Sequence, residues 1–139
     1  MATNPSSATS VVLDASALIR ALIGLRPEAR EWLGRVRRGE RQPVWPAHLY
    51  AEVANVLVRL VRTTSIDAGR AARAFAEVER IRAHVGGPQS IETAMAVALE
   101  RGLTVYDAAY VVLAEALGAP LVTADRRLAE ATETAILLP

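Results

Sequence analysis

Four carboxylates in this chain have neighbours that call for an explanation. Asp14 ends the apolar run Val11, Val12, Leu13, and a second apolar run, ASALI, begins at once behind it. Asp125 stands in a like position near the other end, after Leu121, Val122, Thr123 and Ala124. Asp107 follows Thr104 by three residues in LTVYDAAYVVLA, and Glu52 lies in LYAEVANVL, beside the stripe of Leu49, Val53 and Val56. Acids gathered in one place repel one another unless a cation neutralises them. A set of oxygen donors with no cysteine and no histidine pair suits Mg2+ or Mn2+. Such an ion binds a phosphodiester oxygen and activates water for in-line attack. In that reading Asp14, Asp107 and Asp125 are metal ligands, directly or through water, and Glu52 is a ligand or a base that positions the water. Ser16 and Thr123, each two residues from an acid, orient carboxylates or waters.

Each acid also has a plainer reading. Asp is a favoured helix N-cap, so Asp14 and Asp125, taken singly, read as caps. Thr104 and Asp107 have the spacing of a capping box, with Asp in place of the usual Glu or Gln. At about 100° per residue Glu52 falls at the margin of its apolar stripe, where it reaches either water or a shared cleft. Arg20, Arg126 and Arg127 lie close in sequence to the acidic junctions. They are candidates for phosphate contacts or simply solvated surface. His48 and His84 are not spaced as a metal pair and read as structural; Tyr106 and Tyr110 read as packing residues, with a role near substrate as the alternative.

The elements around these residues follow from periodicity and punctuation. The wholly apolar run 11–13 is a strand covered on both faces. A helix is predicted over 16–23, with Gly24 as its stop, and another from Pro27 to the basic end Arg35, Arg37, Arg38. Residues 43–46, bracketed by prolines, are extended. Helices are predicted over 47–62 and 67–83, with Asp67 as a cap. Gly86, Gly87 and Pro88 break the chain before an Ala-rich helix over 90–101. A helix over 104–117, hydrophobic nearly all round and so deeply buried, closes at Gly118. A strand at 121–122, a short helix from Asp125 and a strand at 135–138 complete the chain. Strands alternating with helices give an α/β sandwich with a mostly parallel sheet. In such a sheet ligands bind outside the carboxyl ends of the strands, the edge where Asp14 and Asp125 both fall.

Composition narrows the chemistry further. With 139 residues, 52% hydrophobic and 22% charged, the chain fits one domain, 11–139, behind a polar lead, 1–10, read as disordered and lacking the features of a secretory signal. No apolar run approaches membrane-spanning length. The net charge of +1 exerts no global pull on nucleic acid, so an anionic partner must be met by a local patch. All 16 basic residues are arginine. Without lysine there is no P-loop lysine, Schiff base or lysine general base. Without cysteine there is no disulfide, thiol catalysis or Cys-ligated zinc. A reducing cytoplasm is the default location.

VVLDASALI, the acid in LYAEVANVL and the block LTVYDAAYVVLAEALGAPLVTADRRL together resemble a PIN domain, and most closely the VapC-type toxins of bacterial toxin–antitoxin pairs. The likeness spans residues 11–138. Residues 1–10 make a longer lead than is common in such toxins. The resemblance implies a three-layer α/β/α fold and a metal-dependent endoribonuclease whose acidic quartet is Asp14, Glu52, Asp107 and Asp125. It also implies an RNA substrate, a homodimer and a cognate VapB-type antitoxin whose tail covers the active-site groove. The helices over 47–62 and 67–82, apolar on one side and Arg-rich on the other, are expected to form part of that groove or a dimer contact. A haloacid-type phosphatase would need a second Asp where Ser16 stands, and a receiver domain would need a lysine. The remaining alternative is a PIN-like RNA-binding or regulatory module without turnover.

Overall fold

The computed structural model describes residues 9–87 and 90–139. Residues 1–8 and Pro88, to which the expected lead and part of the expected chain break belong, lie outside them. The elements run β1 (Ser10–Leu13), α1 (Ala15–Leu22), α2 (Pro27–Arg37), β2 (Gln42–Pro46), α3 (Leu49–Arg62), α4 (Ala68–Arg80), β3 (His84–Gly86), α5 (Ser90–Arg101), α6 (Val105–Leu117), β4 (Leu121–Thr123), α7 (Arg126–Glu130) and β5 (Ala135–Leu137). The five strands form one sheet in the order β3-β2-β1-β4-β5, and every pairing is parallel. Helices cover both faces of this sheet in a three-layer α/β/α sandwich.

Strand β1 lies at the centre and all four of its residues are buried. From it the chain winds outward through β2 and β3, then returns to lay β4 and β5 on the other side. The order therefore reverses between β1 and β4, where Val12 pairs with Leu121 and Leu13 with Val122. A crevice opens at such a switch point, beyond the carboxyl ends of the two strands. Asp14 and Asp125 stand there.

Helix α6 packs across β1, β2 and β4 and against α5. Ala108, Ala109, Tyr110, Val111 and Ala114 are all buried, as the all-round apolar sequence requires. It ends at Gly118, whose left-handed φ of 60° lets the chain turn into β4. Helix α1 packs against both α2 and α3, α3 packs against α4, and α3 turns Leu49, Val53 and Leu57 inward.

Two boundaries differ from expectation. The helix predicted over 67–83 ends at Arg80, because Ile81 turns to extended backbone (φ −73°, ψ 125°). The three residues from His84 then pair with Val44, Trp45 and Pro46 as β3. This edge strand has no apolar run of its own, so a partner distant in sequence decides its conformation. Ser10, placed by sequence in the lead, opens β1, and the amide of Gln42 donates to the carbonyl of Thr9 just before it.

Candidate active site

Each acid is positioned by a different element, and the four line one cavity of about 450 Å³ at the switch point. Asp14 leaves β1 in extended backbone and caps α1 through a bond from the Ala17 amide to Oδ1 (2.9 Å). The Ser16 hydroxyl donates to the same oxygen (2.6 Å), and the Thr123 hydroxyl donates to Oδ2 (2.5 Å). A carboxylate offers about four lone-pair sites, so these three donors leave one for a ligand. Only 5% of Asp14 is exposed. Burial pushes its pKa from 3.8 to about 6, against the pull of the Ser16, Thr123 and Ala17 bonds and with a further push from the charge of Glu52.

Ser16 and Thr123 tie the two strand ends together. The Ser16 oxygen accepts from the Ala124 amide (2.8 Å), and the Thr123 oxygen accepts from the Asp125 amide (3.0 Å). Each hydroxyl spends its one proton on Asp14. Their mutual 3.2 Å approach is then a contact between two acceptors. Beyond them Asp125 caps α7, its Oδ1 taking the amides of Arg127 (2.9 Å) and Leu128 (3.3 Å).

Asp107 sits in the first turn of α6, half-buried, with its amide donating to the Thr104 hydroxyl (3.1 Å). Burial raises its pKa and the charge of Asp125 raises it further, while Thr104 and Arg127 act in the opposite direction. Glu52 is reached from α6 as well, because the Tyr110 hydroxyl donates to its Oε1 at 2.6 Å. Burial, then this bond, hold the Tyr110 proton far above its usual range, so the phenol stays a donor.

The sequence-predicted residues fall into two groups. Asp14, Ser16, Arg20, Glu52, Asp107 and Asp125 line the cavity, with Thr123 buried directly beneath. The three arginines are less uniform. Arg20 lines the cavity but its guanidinium donates to the Pro139 carbonyl (2.6 Å). Arg127 donates to the Gly102 carbonyl (2.7 Å), and Arg126 is exposed outside the cavity lining.

Sequence reasoning passed over four residues. Asn55 and Arg59 line the cavity beside Glu52 on α3. His48, read as merely structural, has Nε2 3.0 Å from the Tyr106 carbonyl oxygen and 3.6 Å from Glu52 Oε1. Tyr106, read as packing, is 62% exposed, with its ring edge-on to His48 at 5.3 Å. The spacing 52, 55, 56, 59 on one helix face was the available signal for Asn55 and Arg59.

Among the described residues no three acids or imidazoles are drawn tightly enough to enclose an ion by themselves. The donor set still fits a hard cation. It is all carboxylate oxygen, partly desolvated, and among the described residues its Asp and Glu side chains form no ion pair with arginine. Mg2+ commonly takes one or two carboxylates and keeps several waters, and a 450 Å³ cavity has room for them.

The PIN domain family model matches residues 11–133. The chain belongs to the PIN-domain family. Among its relatives is the ribonuclease VapC3 of Pyrobaculum aerophilum, 35% identical over 125 residues that cover 86% of this chain and 92% of that one. The ribonuclease VapC1 of Mycobacterium tuberculosis is 34% identical over 122 residues, 86% of this chain and 89% of the relative. An exonuclease, VapC9 of Pyrobaculum aerophilum, is 33% identical over 116 residues, 84% of each chain. The crystal structure of PAE2754 from Pyrobaculum aerophilum superimposes with a TM-score of 0.75 at 28% identity, covering 96% of this chain and 86% of that one. With this PIN-domain frame, the switch-point cavity falls at the strand ends where an α/β sheet holds its ligand.

Proposed function

We propose that this PIN-domain chain is a divalent-metal-dependent endoribonuclease, the toxin of a toxin–antitoxin pair. The observation that carries the reading is the convergence of Asp14, Glu52, Asp107 and Asp125 on one cavity. Relatives named ribonucleases over most of their length support the choice of RNA. Mg2+ or Mn2+ would supply a Lewis acid for a phosphate oxygen and a water of lowered pKa. Asp14, Asp107 and Asp125 would hold the ion, in part through water. Glu52, oriented by Tyr110, would hold the ion or align the attacking water. Ser16 and Thr123 fix both oxygens of Asp14, so their role is to set its direction.

Cleavage within the strand is the finer part of the reading, since one relative carries the name exonuclease. A circular RNA separates the two, because it has no end to start from. Purified chain with Mg2+ or Mn2+ should linearise such a circle, and Asp14→Asn, Asp107→Asn or excess chelator should stop it. Intact circles beside degraded linear RNA would reassign the chain as an exonuclease. Unchanged RNA of both kinds would sink the nuclease reading.

Two partners belong to the proposal, both in the cytoplasm, and among the described residues no helix is long and apolar enough to cross a membrane. A VapB-type antitoxin would close the cavity along α3. A second copy would cover α5, where Ile91, Met95 and Leu99 stand exposed at successive turns, Leu99 by 87%. The sequence placed such contacts on α3 and α4, but among the described residues Val58 is the only large hydrophobic side chain exposed on either helix.

A further inference from the structure

We infer that α3 is a track for a single strand of RNA, with Tyr106 stacking a base at one end and Arg59 holding a backbone phosphate at the other; this rests on the nuclease reading above. Three observations support the inference. First, Glu52, Asn55, Val56 and Arg59 recur at i, i+3, i+4 and i+7, and all four line the cavity. The acidic end of that face therefore leads, over two turns or about 10 Å, to a cation. Second, among the described residues the Arg59 guanidinium has no hydrogen-bond or ion-pair partner, whereas those of Arg20 and Arg127 are spent on the carbonyls of Pro139 and Gly102. Among the described residues Arg59 is thus the cation of the cavity wall left to take an anion, and its planar fork suits phosphate. Third, the far end of α3 carries an aromatic relay. The ring of His48, the residue before the helix, is edge-on to Tyr110 at 5.4 Å and to Tyr106 at 5.3 Å. Tyr110 lines the cavity and is buried, while Tyr106 is 62% exposed one step further out.

An exposed ring next to a phosphate-cleaving cluster is what base stacking requires. Only an unstacked base can reach it, so a strand is accepted where it is unpaired. Along α3, Glu52 lies between His48, on which the Tyr106 ring packs, and Arg59, which places the cleaved phosphate between a stacked base and a gripped phosphate. Asn55, exposed between Glu52 and Arg59, offers that path a polar side chain for a base edge or a 2′-hydroxyl.

The test is fluorescence anisotropy of a labelled unpaired RNA oligonucleotide in chelator, over a series of salt concentrations, on the full chain and its variants. Tyr106→Ala and Tyr106→Leu should both weaken binding about tenfold, while Tyr106→Phe, which keeps the π-face, binds like wild type. Arg59→Ala should weaken binding and lower the slope of log affinity against log salt by about 1, and Arg59→Lys should restore the slope. When metal is added, Tyr106→Ala, Tyr106→Leu and Arg59→Ala should raise KM and leave kcat within about twofold, since among the described residues neither side chain bonds to the acids. Wild-type affinity and salt slope in Tyr106→Ala and Arg59→Ala, alongside RNA cleavage by the wild type, would overturn the track and leave the nuclease standing. If the wild type neither binds nor cleaves RNA, both readings fall. If the alanine variants lose only the antitoxin and keep RNA, the surface belongs to the protein partner and the track is wrong.

Discussion

The β1–α1 and β4–α7 junctions are built alike. Each is a buried strand, an Asp in extended backbone, and a helix whose first amides bond to that Asp. They differ in what surrounds the carboxylate. Asp14 is sealed under Ser16 and Thr123 with 5% exposure, and its pKa climbs to about 6. Asp125 is exposed, and both capping amides go to one oxygen, leaving Oδ2 outside the cap. Capping and chemistry are therefore not alternatives at either site. A cap uses one or two of four lone-pair sites, and what turns it into a strained ligand is desolvation and the fate of the remaining sites.

Replacing the buried member should produce the largest effect. Asp14→Asn is expected to lower RNA cleavage on the order of 10²–10³-fold, as loss of a principal electrostatic group does. In chelator it should also make the protein more stable. The folded chain keeps the Asp14 proton up to about pH 6, while the unfolded chain releases it near 3.8. Stability therefore falls as pH rises through that window and stays low above it, by about 3 kcal/mol at 1.36 kcal/mol per unit. Asn carries no charge to bury. Its Tm should exceed that of wild type by on the order of 10 °C at pH 7.5 and match it near pH 4. Equal melting temperatures at pH 7.5 would show that Asp14 is not strained in the metal-free fold.

Thr123→Val tests the tie between the junctions. It removes the donor to Asp14 Oδ2 and the acceptor for the Asp125 amide without changing side-chain volume much. Leaving an ionised buried oxygen with one fewer partner costs about 1–3 kcal/mol. The loss should be greatest above pH 6, where Asp14 is charged, and should shrink toward pH 4. A cost that does not vary with pH would assign Thr123 to packing alone.

How far the sequence reveals these features depends on whether their causes are local. The acids at the strand ends were legible because an apolar run stopping at an Asp is visible in a few residues. The parallel sheet that brings residues 14 and 125 together followed from alternation of strands and helices. Strand β3 was not legible, because His84, Val85 and Gly86 become a strand only through β2. Tyr106 was misread for the opposite reason. Its helix is apolar all round, which implies burial everywhere, yet in the first turn that ring stands in solvent. Arg59 looked like any surface arginine until the register of α3 placed it on the face of Glu52.

The exposed junction should give a smaller change, and a more discriminating one. Asp125→Asn retains a side chain that caps as well as Asp, so Tm should move little, while Asp125→Ala should cost about 1 kcal/mol. The charge itself is lost in both. Because the Asp125 charge is a principal cause, after burial, of the raised Asp107 pKa, either variant should bring Asp107 back toward the usual carboxylate range. Carboxyl chemical shifts followed through a pH titration of metal-free protein would register that change even where activity is already lost. A titration of Asp107 unmoved by Asp125→Asn would mean that the two side chains do not share one electrostatic site in solution. The exposed junction would then be a helix cap and nothing more, and the site would reduce to Asp14, Glu52 and Asp107.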